Sequence, residues 1–171
     1  MSRFEHVITV DAPVREVYNQ WTQFESFPSF MDGVEKVVQR DDKTLEWTAS
    51  IAGQTRTWTA EITDQTPDVR VAWKSTSGAD NAGAVLFQPL APDRTQVTLR
   101  MDVDPQGIVE NVGDAIGAVD RRVKGDLERF KDFMDARGQA SGAWRGEIHG
   151  EEVRDPAMSG TGSRPGSNKP A

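Results

Sequence analysis

The sequence contains no cysteine and only two histidines among its 171 residues. The absence of cysteine excludes disulfides, thiolate metal sites and a cysteine nucleophile, and it is compatible with a reducing compartment. His6 and His149 cannot build a usual zinc site without thiolate partners. We interpret His6 as a packed strand residue, and His149 falls in a polar tail. We therefore expect neither a metal site nor a cofactor.

Positive charge and long apolar runs are also scarce. The chain has 20 Lys and Arg against 27 Asp and Glu, which gives a net charge of −7 and a pI near 4.9. Such an acidic chain is unsuited to phosphate backbones or to anionic lipid. The N-terminus lacks an apolar signal core, and no run approaches the ~20 residues that span a bilayer. These absences predict a soluble, cytoplasmic protein with no nucleic-acid partner and no stable membrane association.

Recognisable catalytic signatures are missing as well. No serine stands in a Gly-x-Ser-x-Gly elbow, and the Gly-Thr-Gly of residues 160–162 does not follow a strand. Residues 102–107 begin like a calcium loop, but the twelfth position is Gly113 instead of a bidentate Glu. We assign no catalytic residue from these patterns.

The N-terminal part predicts one strand and two short helices. Apolar and polar residues alternate over residues 3–10, as in a half-buried strand. Asp11 and Pro13 then supply a capping acceptor and a fixed φ, which together favour a helix start. One face of that helix carries Val14, Val17, Tyr18 and Trp21. Residues 24–31 are rich in Phe and predict a second short helix or a tight apolar turn.

The middle of the chain predicts an antiparallel sheet with one polar and one apolar face. Alternating segments are separated by turn residues, and residues 75–81 predict a loop rich in Gly, Ser and Asp. The alternating segments are residues 33–40, 45–51, 55–62, 69–73, 85–88 and 97–103.

From Val109 the period of the apolar residues changes to that of a long amphipathic helix. The stripe comprises Val109, Val112, Ile116, Val119, Val123, Leu127, Phe130 and Met134. The opposite face carries charged pairs at i, i+4 spacing, which are typical of a solvated surface: Asp120/Lys124, Arg122/Asp126 and Lys131/Asp135.

Gly138 is the expected end of this helix. We predict a domain over residues 1–138 and a polar, disordered tail over residues 139–171. Residues 144–148 form an apolar island in that tail, containing Trp144 and Ile148, that predicts docking to some surface.

Three tryptophans indicate an apolar ligand wall. Trp47, Trp58 and Trp73 fall on different predicted strands in the apolar register, and Phe87 and Met101 can join them. Wide rings that converge on one helix suit a ligand cavity, although they would equally fill a solid core. Two further candidate ligand contacts lie outside these strands, Phe30 and Ile116.

Arg56 is the most discriminating candidate in this set. It shares the register of Trp58, so its guanidinium would point inward and orient a ligand carboxylate, phenolate or carbonyl. The alternative, which we favour slightly, is that Arg56 lies at the strand end beside Gly53 and reaches solvent. Tyr18 offers a hydroxyl, but its helical spacing marks it first as a packing residue.

With these residues in view, the chain resembles the START-like, or SRPBCC, superfamily, and within it the bacterial polyketide cyclase/dehydrase and lipid transport proteins. The resemblance covers residues 3–137. It rests on residues 8–13 followed by 17–21, on residues 24–34, and on residues 126–131, which read ITVDAP, VYNQW, FESFPSFMDGV and DLERFK.

The resemblance implies an α+β helix-grip fold, with a curved seven-stranded antiparallel sheet around a long C-terminal helix and two short helices after the first strand. It also implies a hydrophobic ligand in a tunnel between sheet and helix. Aromatase/cyclases of the superfamily carry a Ser and an Arg two and four residues beyond a strand Trp. Aligned on Trp47, those positions are Ala49 and Ile51, which favours binding over cyclisation.

Three functions follow as hypotheses. The first is binding or transport of a small hydrophobic molecule such as a lipid, quinone or polyketide-like compound. The second is a polyketide cyclase or dehydratase that uses the same cavity, with Arg56 or Tyr18 as proton donor. The third is an interaction or stress-associated module that docks a protein partner, not identified by the sequence, through residues 144–148.

Overall fold

The computed structural model describes the backbone of residues 2–51, 53–78, 80–103 and 112–154, and the side chains of all these except residues 2, 51 and 112–116. The helices are α1 (Val14–Trp21), a 3-10 helix (Phe24–Ser29) and α2 (Val112–Arg137). The strands are β1 (Ser2–Val10), β2 (Val34–Gln39), β3 (Thr44–Ile51), β4 (Gln54–Thr66), β5 (Arg70–Gly78), β6 (Asn81–Ala91), β7 (Arg94–Val103), β8 (Glu147–His149) and β9 (Glu152–Arg154).

The strands form one antiparallel sheet in the order β1-β7-β6-β5-β4-β3-β2. Each strand from β3 to β7 lies beside its predecessor, and β1 pairs with β7, with Phe4 opposite Met101 and Val10 opposite Thr95. The predicted helix-grip architecture is confirmed. The strand count differs, because β8 and β9 add two short strands to the seven of this path.

Strand β4 bends the sheet around the helix. Its pairing with β5 shifts between Thr59 and Ala60 and again between Ile62 and Asp64. Each shift is an irregularity of the bulge type, which bends the strand and increases its twist. The sheet is therefore concave toward α2.

The loop predicted over residues 75–81 is shorter than the sequence suggests. Strand β5 continues to Gly78, and β6 already begins at Asn81, whose N–H donates to Ser75 Oγ at 3.0 Å. Polar composition alone predicts a loop, whereas Ser75, Ser77 and Gly78 pair with β4 and Asn81 pairs with Val103 of β7.

Helix α2 lies with its apolar stripe against the concave face of the sheet. Each buried side chain of this kind stabilises the fold by roughly 1.5–3 kcal/mol relative to an exposed one. Its contacts with β1 include His6 Nε2, which lies 2.8 Å from Asp120 Oδ1. The described and buried members of the stripe are Val119, Val123, Leu127, Phe130 and Met134.

Part of the segment predicted as a disordered tail is structured. Strands β8 and β9 form a hairpin, and Ile148 pairs with Gln65 of β4 and is fully buried. The polar composition of residues 139–154 concealed this, because three-residue strands leave almost no periodic pattern. The island of residues 144–148 thus docks on the chain's own sheet.

Side chains of α1 bind the segment that leads from α2 to this hairpin. The N–H groups of Ala140 and Ser141 donate to Glu16 Oε1 and Gln20 Oε1, both at 2.8 Å. Arg145 donates to Asn19 Oδ1 at 2.6 Å. The segment between α2 and β8 therefore lies across α1 and is held there by acceptor oxygens of α1 side chains.

We predict that the hairpin contributes to the stability of the whole domain. Ile148→Ala should lower the free energy of unfolding by about 2–4 kcal/mol, because it removes a fully buried side chain. Val69→Ala is the control, since Val69 is 45% exposed and its truncation should change stability by less than about 0.5 kcal/mol. Urea denaturation measures both, and equal small effects would show that the hairpin is not part of the cooperative unit.

Candidate functional site

An apolar cavity of about 150 Å³ lies between the concave face of the sheet, α2 and the 3-10 helix. Its wall is built from aromatic and aliphatic side chains of the sheet and helices, with a few polar groups. The wall residues are Trp21, Phe24, Phe27, Met31, Asp32, Val34, Leu45, Trp47, Ala49, Trp58, Ile62, Val71, Trp73, Asn81, Leu99, Met101, Val103, Val119, Arg122, Val123, Asp126 and Leu127.

Two tryptophans on neighbouring strands form a stacked pair in this wall. Trp47 and Trp58 lie directly opposite each other in the β3/β4 ladder. Their ring centroids are 5.8 Å apart and their planes differ by 4°. Both rings are half-buried, so together they present a broad, flat, apolar surface.

A third tryptophan crosses the neighbouring strand. Trp73 lies opposite Gly83, and a Cβ at Gly83 would come within 2.6 Å of the Trp73 ring. Glycine is therefore required for the ring to lie over β6. The indole N–H donates to Asn81 Oδ1 at 3.2 Å, which satisfies its polar atom beside the cavity.

The polar part of the wall comes from α2 and from the segment that follows the 3-10 helix. Asp126 Oδ1 accepts from the N–H of Asp32 at 2.9 Å and from Arg129 Nη2 at 2.5 Å. Arg122 Nη1 donates to the carbonyl oxygens of Asp32 at 3.0 Å and Ser50 at 2.9 Å. These contacts fasten the segment of residues 30–33 to α2; we call them the clasp.

Two further features complete the clasp. Arg129 Nε donates to the carbonyl of Phe30 at 3.0 Å. Gly33 has φ +91°, and a Cβ there would lie 1.6 Å from Arg122 Nη1. Only glycine tolerates both this backbone conformation and this close approach of the guanidinium.

Burial raises the pKa of Asp126 to about 6, although Arg129, the Asp32 N–H and Arg122 act in the opposite direction. Desolvation disfavours the charged carboxylate more than these partners favour it. The cavity wall thus contains a carboxyl group that titrates near neutral pH.

Tyr18 lies deep in the core, outside this wall. Burial raises the pKa of its phenol to about 12, so it stays protonated at neutral pH. Its ring packs edge-on against Phe87 and under the guanidinium of Arg145.

The structure places four of the eight predicted ligand contacts in the cavity wall: Trp47, Trp58, Trp73 and Met101. The side chain of Ile116 lies outside the described residues. Three others lie outside the wall. Phe30 packs on Phe130 at 5.2 Å between ring centroids, and Phe87 packs on Tyr18 at 5.4 Å, so both fill the core.

Arg56 is the third residue outside the wall. It is half-buried near the β3–β4 hairpin and donates to Gln54 Oε1, and it is not part of the cavity wall. Its position agrees with the alternative that placed it at the strand end.

The sequence missed Arg122 and Asp126. Their i, i+4 spacing predicted a solvated ion pair, but each instead bonds the backbone of the segment after the 3-10 helix. One signal in the sequence could have indicated Asp126. It precedes Leu127 of the apolar stripe by one residue, and this position brings its carboxylate to the edge of the buried face.

Comparisons with known proteins identify the family. Residues 10–132 match the model of the family described as polyketide cyclase/dehydrase and lipid transport, and the chain belongs to that family. An uncharacterized 17.2 kDa protein of Streptomyces lincolnensis, encoded between melC2 and rnhH, is 51% identical over 149 residues, which cover 86% of this chain and 99% of that protein.

Solved structures agree on the fold. DR_A0006 of Deinococcus radiodurans is 27% identical with a TM-score of 0.62, covering 80% of this chain and 99% of that one. The Zhui aromatase/cyclase of Streptomyces sp. R1128 is 20% identical with a TM-score of 0.67, and the match covers 83% of this chain and 98% of that one. At that identity the second likeness shows the fold alone.

Two kinds of site are absent from the described residues. They contain no group of three or more His, Asp or Glu side chains placed to hold a metal ion. None of their helices is long and apolar enough to cross a membrane.

The raised pKa of Asp126 predicts a specific dependence of stability on pH. The folded protein binds this proton more tightly than the unfolded chain, so ionisation of Asp126 destabilises the fold above about pH 6. As pH falls from 7.5 to 5, wild type should gain about 1.4 kcal/mol of stability relative to Asp126→Asn, because one pH unit below the folded pKa is worth about that much. Asparagine keeps an oxygen that accepts from Asp32 and Arg129.

Urea denaturation at several pH values measures this difference. Asp132→Asn is the matched control, because Asp132 is an exposed carboxylate on the same helix, and its curve should follow wild type. Parallel curves for wild type and Asp126→Asn would contradict the expectation.

Proposed function

We propose that this protein binds and carries a small hydrophobic molecule in the cavity between the sheet and α2. The observation that carries the proposal is the tryptophan-lined apolar cavity of about 150 Å³. Cavities of this size hold molecules of about one aromatic ring, and their apolar lining makes water a poor occupant. Family membership supports this assignment, since the family description includes lipid transport.

A second candidate function is catalysis in the same cavity, as a cyclase or dehydratase. Asp126 favours it, because a carboxyl group with a pKa of about 6 in an apolar wall can exchange a proton near neutral pH. The donors first considered do not serve it, since neither Arg56 nor Tyr18 belongs to the cavity wall. We rank carriage first, because Asp126 Oδ1 is already engaged by two donors of the clasp.

The direct test is native mass spectrometry of the purified protein, followed by solvent extraction of the bound material. A carrier should retain a reproducible apolar molecule at one copy per chain. An empty protein that also fails to bind apolar probes in solution would refute the proposal.

A cavity-filling substitution gives the second test. Ala49→Leu should weaken binding of the neutral one-ring ligand trans-cinnamamide about tenfold or more, because Ala49 lines the cavity and three added carbons occupy much of it. Thr48→Leu is the control, since neighbouring strand residues face opposite sides of the sheet. Isothermal titration calorimetry measures both, and equal affinities would place the ligand elsewhere.

A further inference from the structure

Arg122 brings a positive charge to the edge of an otherwise apolar cavity. Its side chain is half-buried and belongs to the cavity wall. A guanidinium in such surroundings costs free energy unless its donors are satisfied. The position of Arg122 is therefore explained by the groups that its guanidinium binds, and not by packing alone.

One nitrogen of Arg122 fixes the orientation of the whole group. Nη1 donates to the carbonyl oxygens of Asp32 and Ser50, and it rests on the Cα of Gly33. Both acceptors are neutral, so they hold the guanidinium plane without neutralising its charge. The group is thus positioned in advance of any ligand.

The opposite edge of the same guanidinium is uncommitted. Within the described parts of the chain, Nε and Nη2 of Arg122 have no hydrogen-bond acceptor, and no carboxylate lies within 4.0 Å of the group. An Nε–Nη2 edge is the geometry with which arginine binds a carboxylate through two parallel hydrogen bonds.

The nearest buried carboxylate does not take this edge. Asp126 is committed to Arg129 and to the N–H of Asp32. Arg129 in turn donates to the Phe30 carbonyl, so its guanidinium is held in the clasp. The clasp therefore contains two guanidinium groups, the buried carboxyl group of Asp126 and the exposed one of Asp32, and neither carboxyl group forms an ion pair with Arg122.

We propose that the molecule held in this cavity is an apolar carboxylic acid, and that its carboxylate binds the Nε–Nη2 edge of Arg122. The apolar body would lie against Trp47 and Trp58, whose stacked rings offer a flat surface. This inference rests on the proposed carrier function and adds the chemical class of the ligand and the residue that selects it.

The test compares ligands that differ only in charge. Trans-cinnamate and its neutral amide, cinnamamide, share one ring and one shape. Wild type at pH 7.5 should bind cinnamate at least about tenfold more tightly, as expected when a charge-assisted pair replaces a neutral hydrogen bond. Isothermal titration calorimetry measures both affinities. Octanoate and octanamide repeat the comparison with a flexible chain, and preference for the acid in either pair supports the proposal.

Variants assign the preference to Arg122. Arg122→Gln should reduce the ratio of acid to amide affinity to about one, while amide binding changes less than about threefold. Arg122→Lys should give an intermediate ratio, because lysine keeps the charge but lacks the planar fork. Arg121→Gln is the control of equal charge on the exposed neighbouring position, and it should leave the ratio unchanged. If Arg122→Gln does not fold, the lysine variant carries the same comparison.

The outcomes separate this inference from the carrier function. Amides that bind as tightly as their acids would overturn the carboxylate proposal and leave the carrier function standing. Loss of the preference in Arg121→Gln instead of Arg122→Gln would also overturn it. Absence of binding for both ligand pairs, together with an empty protein in native mass spectrometry, would refute the carrier function itself.

Discussion

The packing of Phe130 holds together the elements on which the cavity depends. Its ring lies 5.0 Å from Trp21 of α1 and 5.2 Å from Phe30, which follows the 3-10 helix, and it is fully buried. Aromatic pairs of this kind add about 0.5–1.5 kcal/mol each beyond the area that they bury. Phe130 thus packs α2 against Phe30, and the α2 residues of the clasp lie in the turns that precede Phe130. Asp126, Arg122 and Arg129 bond the backbone of the same segment that Phe30 anchors in the core.

Much of the fold could be predicted from residue periodicity, while the site could be predicted only in part. Alternation places Trp47, Trp58 and Trp73 on the inner face, but it does not distinguish a cavity wall from a solid core, where Phe87 lies. The spacing of Arg122 and Asp126 predicts a surface pair for an isolated helix, whereas here the segment of residues 30–33 covers that face. Such long-range contacts leave no local pattern.

The polar chemistry of this cavity comes from the helix and not from the strand. Aligned on Trp47, the position that carries Ser in aromatase/cyclases is Ala49, an apolar part of the wall. The polar groups stand across the cavity on α2, and their main bonds go to backbone groups of the clasp. Asp126 Oδ1 already accepts from the Asp32 N–H and from Arg129, so Asp126 is committed to the contacts that shape the cavity. This commitment favours holding a ligand over catalysing its conversion.

The net charge of −7 must be reconciled with an anionic ligand. Exposed charges are screened over about 8 Å at physiological ionic strength, so the acidic surface acts weakly on a molecule already inside the cavity. The guanidinium of Arg122 lies in partly buried surroundings, where charge interactions are screened much less. A short-range bidentate contact can therefore outweigh the long-range repulsion. The acidic surface would slow the approach of the acid more than it weakens the bound state, because approach crosses solvent while the bound carboxylate faces one fixed cation.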